Sequence, residues 1–158
     1  MGNFVTQGAV LQCSFGLSPC TLVITVPSRP KCMNLLMAVT TDFTVTNIPS
    51  FGMCQSITNP AVSSATSAAM GVLTPMPCVP VITAPWSPGS SQVKVGGIPA
   101  LTDNSKCMCS YMGNISIVSP GNTMVTGKKL HAEKATGNLT DCSDSTALCC
   151  TENQHRAV

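Results

Sequence analysis

Val72 to Leu101 reads V-L-T-P-M-P-C-V-P-V-I-T-A-P-W-S-P-G-S-S-Q-V-K-V-G-G-I-P-A-L, and it decides what the chain can become. Each proline fixes φ at about −65° and removes a backbone donor, so Pro75 to Pro88 is excluded from helix interiors and central strands. The stretch reads as an extended, irregular wrap with its apolar side chains turned inward around the only tryptophan, Trp86. Prolines frame Cys78 on both sides. The wrap closes in a turn-and-strand unit, Val93 to Leu101, built around Gly96-Gly97.

Working outward, the segment just upstream carries the one helical signal. Asn59 suits an N-cap, Pro60 the first helical position, and Gly71 the stop, so the pattern predicts a short helix over about 60–70. Earlier still, Phe4-Val5, Ala9 to Ser14 and Thr21 to Val26 read as strands, the last apolar enough to be buried on both faces. Leu35 to Thr40 and Thr44 to Pro49 alternate like strands, and Ser110 to Val118 supplies more beyond the wrap. Met37 to Asp42 and Pro99 to Asp103 share an apolar pair, Thr and Asp. This weak internal repeat predicts pseudo-symmetry built from hairpin-like pieces. The fold class is therefore mainly β, made of short strands and hairpins with one short helix.

Composition separates the chain into two parts. Only 9% of residues are charged against 44% hydrophobic, where soluble domains average about 25% charged. Of the fourteen charges (8 + 6), six fall in the first 121 residues: Arg29, Lys31, Asp42, Lys94, Asp103 and Lys106. A β domain over 1–121 and a charged, cysteine-containing extension over 122–158 follow from that shift. So little charge on the domain points to a surface that a partner covers. The net charge of +2 comes without a Lys/Arg stripe, which speaks against nucleic acid. No apolar run reaches the ~20 residues of a membrane span. Met1-Gly2-Asn3-Phe4 lacks the charged and apolar regions of a Sec signal peptide.

Chemistry-bearing residues are sparse. Both histidines, His131 and His155, lie in the extension, so no Ser–His or Cys–His pair is legible in the domain. Asp42 and Asp103 each follow Thr at a strand end, where Asp bonds backbone amides in a turn. Enzymatic catalysis is not expected. The cysteines carry more. Cys13, Cys54, Cys78 and Cys109 lie one per segment, each beside a turn or proline, and four thiolates gathered from four segments would make a tetrahedral zinc site. Buried thiols and disulfides are the other two states open to them.

Several motifs together resemble a known family. In order these are Gly8-Ala9-Val10-Leu11-Gln12-Cys13-Ser14-Phe15-Gly16, Phe51-Gly52-Met53-Cys54, Asn59-Pro60, Leu73-Thr74-Pro75-Met76-Pro77-Cys78, Pro85-Trp86, Val95-Gly96-Gly97-x-Pro99-Ala100-Leu101-Thr102-Asp103, and Cys109 with Gly113-x-Ile115-x-Ile117. Over residues 4–121 this is similar to the PAAR-like proteins, which tip the spikes of contractile injection apparatuses such as the type VI secretion system. The resemblance implies a small conical β fold and a non-enzymatic role: capping and sharpening a trimeric valine-glycine repeat spike, and helping attach effector proteins. It implies residence in the bacterial cytoplasm before firing, export with the spike without a Sec signal, and transient contact with the target membrane. Classical PAAR domains bind a metal near the apex through His and Cys. This domain has no histidine, so that site does not carry over; if a metal is kept, the family-motif positions Cys13, Cys54, Cys78 and Cys109 are the candidates to hold zinc. A small secreted disulfide-rich effector and a cysteine-based metalloenzyme are the competing readings.

Overall fold

The computed structural model describes residues 3–32 and 34–121; the extension lies outside them. Its elements are short. Strands β1 (Val10–Cys13), β2 (Cys20–Thr21), β9 (Lys106–Met108) and β10 (Asn114–Ser119) form one antiparallel sheet in the order β2-β1-β10-β9. Cys13 and Cys107 both stand opposite Ile115, one on each side of β10. Three two-stranded ribbons complete the set: β3 (Lys31–Cys32) with β4 (Leu35–Leu36), β5 (Met53–Cys54) with β6 (Met76–Pro77), and β7 (Lys94–Val95) with β8 (Ile98–Pro99). The protein is mainly β with one short helix, as its sequence predicts.

Three segments outside the regular strands close on one another. The N–H of Val5 donates to Leu101 O at 2.9 Å, that of Leu101 to Ala38 O at 3.0 Å, and that of Ala38 to Val5 O at 2.9 Å. Flanking bridges repeat the cycle: Phe4 with Thr102, Thr6 with Met37, and Val39 with Ala100. Around each corner, the residue before one centre pairs with the residue after another. The pairing is therefore a triangle with threefold pseudo-symmetry. All three central residues are fully buried. Extended backbone sends alternate side chains to opposite faces. Val5, Ala38 and Leu101 thus join the larger core with Leu11, Leu22, Phe51, Trp86 and Ile115. Their neighbours Phe4, Met37, Val39 and Ala100 join a second core with Val93 and Val95. The internal repeat accounts for two sides of this triangle; the third, Phe4-Val5-Thr6, was not recognised in sequence.

Helix α1 (Pro60–Ala68) starts as its sequence predicts: Asn59 Oδ1 accepts from Ala61 N at 3.1 Å and Pro60 opens the first turn. It stops a little earlier than the sequence reading placed it, because Met70 (φ 56°) and Gly71 (φ 87°) already take left-handed conformations. Only Val62 of the helix is buried.

Three strand assignments need correction: Ser110 to Met112 is a turn ahead of β10, and two more lie earlier in the chain. Thr44 to Asn47 is a turn: Asn47 N and Ile48 N donate to Thr44 O, while Asn47 Oδ1 accepts from Thr44 N and Thr44 Oγ1. These short polar side chains satisfy the backbone locally and so compete with ladder pairing. Beyond Thr21 the chain leaves the sheet, with Leu22 and Ile24 buried but Val23 and Val26 exposed. Val23 exchanges its backbone bonds with Asn47, donating to its carbonyl and accepting from its side-chain amide. The proline wrap is extended and irregular, yet it turns inward chiefly Cys78, Pro80 and Trp86; Val72, Leu73, Val79 and Val81 stay exposed. Trp86 is pinned by its own N–H to Thr40 O and by Nε1 to Asp42 O, both at 3.0 Å.

Candidate functional site

Cys13, Cys54, Cys78 and Cys109 line one cavity of about 10 Å³, together with Phe15, Phe51, Ser56, Pro80, Tyr111, Gly113 and Ile115. Each cysteine arrives on a different piece of chain. Cys13 ends β1, eight residues (13 − 5) beyond the triangle corner Val5. Cys109 follows β9, eight residues (109 − 101) beyond the corner Leu101. Both then open a tight turn of the same kind, Gly16 N to Cys13 O at 3.1 Å and Met112 N to Cys109 O at 3.0 Å. Cys54 comes from the third corner's chain, and its backbone bridges to Gly16 of the Cys13 turn. Cys78 enters from the proline wrap, its N–H held by Gly52 O at 2.7 Å. The sequence selected these four by segment; the fold brings all four together.

The local packing depends on small residues. A Cβ on Gly113 would stand 2.6 Å from Cys13 Sγ and 3.5 Å from Cys109 Cβ, so any side chain there would displace a sulfur. Gly16 is equally confined, against Phe51. Ser56 and Thr58 hydroxyls both donate to Tyr111 O, fixing the Tyr111 turn over the segment after Cys54. Gly113 stands in one of the sequence motifs, but its role, like that of Tyr111, is set by what lies across the cavity rather than by its chain neighbours.

All four cysteines are buried and free, as are Cys20 and Cys107; Cys32 is disulfide-bonded. Burial pushes the Cys13 thiol up, against the backbone N–H groups of Phe15 and Gly16, which favour the thiolate. Burial likewise raises Cys78, opposed by the N–H of Phe51, and it raises Cys20, opposed by Ser50. Cys107 is pushed up to about 12, first by burial and then by the neighbouring Cys109 and Cys13. Buried thiols held in this way are poor nucleophiles at neutral pH, because the thiolate is the reactive form.

The two domain carboxylates stand apart from the cavity and serve the fold. Asp42 takes a bidentate pair from Arg29, 3.0 Å at each oxygen, and accepts from Val39 N at 2.9 Å. Asp103 accepts from the Asn3 side chain at 3.2 Å. His131 and His155 lie outside the described residues. Among the described residues no helix is long and apolar enough to cross a membrane. No group of three or more His, Cys, Asp and Glu among the described residues is placed so that it could hold a metal ion.

Residues 5–122 match the family model described as "Domain of unknown function (DUF4280)". No curated protein and no solved structure matches the chain.

Proposed function

The chain belongs to the DUF4280 family, and from that premise we propose that it is a non-enzymatic, PAAR-like tip protein. It caps the trimeric β-helical spike of a contractile injection apparatus such as the type VI secretion system, and it helps attach effectors. The observation that carries this reading is the hydrogen-bonded triangle of Val5, Ala38 and Leu101. A trimer offers three identical surfaces around one axis. A single chain can engage all three alike only if its own backbone repeats around an axis, and the triangle supplies such a repeat.

Two further features support it. The domain carries six charges in 121 residues, and it exposes Val72, Val79, Met108, Met112 and Val118. Such a surface is suited to being covered. Against catalysis stand the absence of histidine from the first 121 residues and the engagement of Asp42 by Arg29.

The test is stoichiometric. Mixed with a purified trimeric valine-glycine repeat spike, the chain is expected to form a complex of one copy per trimer by native mass spectrometry. Three copies per trimer, or no complex, would remove the symmetry argument and with it this reading.

A further inference from the structure

We propose that Cys32 and one cysteine of the extension, Cys142, Cys149 or Cys150, form a disulfide clasp that fastens residues 122–158 back onto the β3–β4 ribbon. The clasp is independent of spike binding and of the cavity cysteines.

The cysteine inventory carries it. The chain has ten cysteines. Cys32 is disulfide-bonded, whereas Cys13, Cys20, Cys54, Cys78, Cys107 and Cys109 are free. The cysteines left to pair with Cys32 are Cys142, Cys149 and Cys150.

The fold puts both ends of such a tether in one place. Cys32 is the last residue of β3, opposite Leu35, at a ribbon turn where Asn34 takes φ 70°. It is fully buried although Lys31 and Asn34 are exposed. The chain leaves the domain close by. Thr6 donates to Pro120 O from its N–H at 2.8 Å and from Oγ1 at 3.2 Å. Gly121 is so confined that a Cβ would stand 2.7 Å from Ala9 N. Thr6 in turn bridges to Met37, Gln7 N donates to Leu36 O at 2.8 Å, and Leu36 pairs with Lys31 of β3. The exit thus lies three strand spacings from β3, roughly 15 Å at about 4.8 Å each. From Gly121 to Cys142 there are 21 residues (142 − 121), which at about 3.3 Å each reach several times that far.

The bond sits against the second core, where Cys32 packs with Phe4, Met37, Val39, Val93, Val95 and Ala100. It closes a loop of at least 110 residues (142 − 32), and long loops restrict the unfolded chain most. Closure takes a small-molecule disulfide such as oxidised glutathione. One protein thiolate attacks it, forming a mixed disulfide and expelling one small thiol. The second protein thiolate then attacks the protein sulfur of that mixed disulfide and expels the other. Two electrons and two protons pass from the protein thiols to the small molecule, which leaves as two thiols. Excess reductant reverses both steps, so the attachment of the extension follows the redox state of its surroundings.

The experiment uses the full chain equilibrated with oxidised and reduced glutathione. Free thiols are alkylated in denaturant, and the protein is then cut with trypsin. Lys31 and Lys94 bound the peptide that carries Cys32, and Lys134 and Arg156 bound the one that carries all three candidate partners. These two peptides are expected to stay joined until reduced, with peptic fragments separating Cys32 from Cys54 and Cys78. Cys32→Ser should part them without reductant, while Cys20→Ser leaves them joined. Reductant should lower the melting temperature of the wild type by at least about 5 °C. It should not lower that of the Cys142→Ser/Cys149→Ser/Cys150→Ser variant further. Three results would overturn the clasp: the two peptides apart in unreduced wild type, Cys32 alkylated or joined to a domain cysteine or a second chain, or the peptides still joined in Cys32→Ser. The wild-type map decides the matter even if a variant fails to fold.

Discussion

Gly113 shows how much one residue can be asked to do. Its missing Cβ is the space that Cys13 Sγ occupies, 2.6 Å from where a methyl would sit. Gly113→Ala should destabilise the protein by about 1–3 kcal/mol, the usual cost of overpacking a closed site, read as a lower urea midpoint. An unchanged midpoint would mean that the sulfur is not confined. Cys107 makes a second prediction at this scale. Its thiol is raised from an ordinary 9.0 to about 12 by burial, so the unfolded chain loses this proton at lower pH than the folded one. The stability this provides is complete below pH 9 and declines as pH rises toward about 12. Cys13, Cys20 and Cys78 are shifted in the same direction and steepen the decline. In metal-free protein, Cys107→Ala should flatten the alkaline fall in the denaturation midpoint. An equally steep fall would show that this thiol is not what the alkaline limit depends on. Asp42 and Cys13 were both legible as important residues in the sequence. The pairing of Asp42 with Arg29 and of Cys13 with Gly113 was not legible there, because each faces its partner across a turn or a cavity.

At the scale of elements, the triangle outweighs any single strand. Most strands here have two or three residues, too few to persist as isolated hairpins. What fixes them is closure, since each corner of the triangle both donates to one neighbour and accepts from the other. The amides of Val5, Ala38 and Leu101 are therefore predicted to exchange only through global unfolding, while those of α1, with one buried side chain, exchange by local opening. Native-state hydrogen exchange checks this, and corner amides that exchange as fast as the helix would show that the cycle is not a cooperative unit. Leu101→Ala should cost about 2–5 kcal/mol, as for other fully buried leucines. The helix was readable from Asn59, Pro60 and Gly71 because capping acts within one turn. The stretches 22–26 and 44–49 misled because their composition favours strands while Asn47 ties them to each other instead.

At the scale of the whole molecule, the four segments that carry Cys13, Cys54, Cys78 and Cys109 are joined by backbone pairing as well as packing: Gly16 bridges to Cys54, Cys54 pairs with Met76, and Ile82 bridges to Cys109. The sequence by itself determined that the protein is mainly β, that its helix begins at Asn59-Pro60, and that the prolines make an irregular wrap. Those features follow from dihedral limits, capping and alternation, which act over a few residues and are written where they act. Only the tertiary structure decided that Phe4-Val5-Thr6 completes a triangle with two segments far along the chain, and that the four thiols face a single cavity. Both depend on long-range pairing and on which faces are buried together, and these are set by closure of the whole chain rather than by any stretch of it.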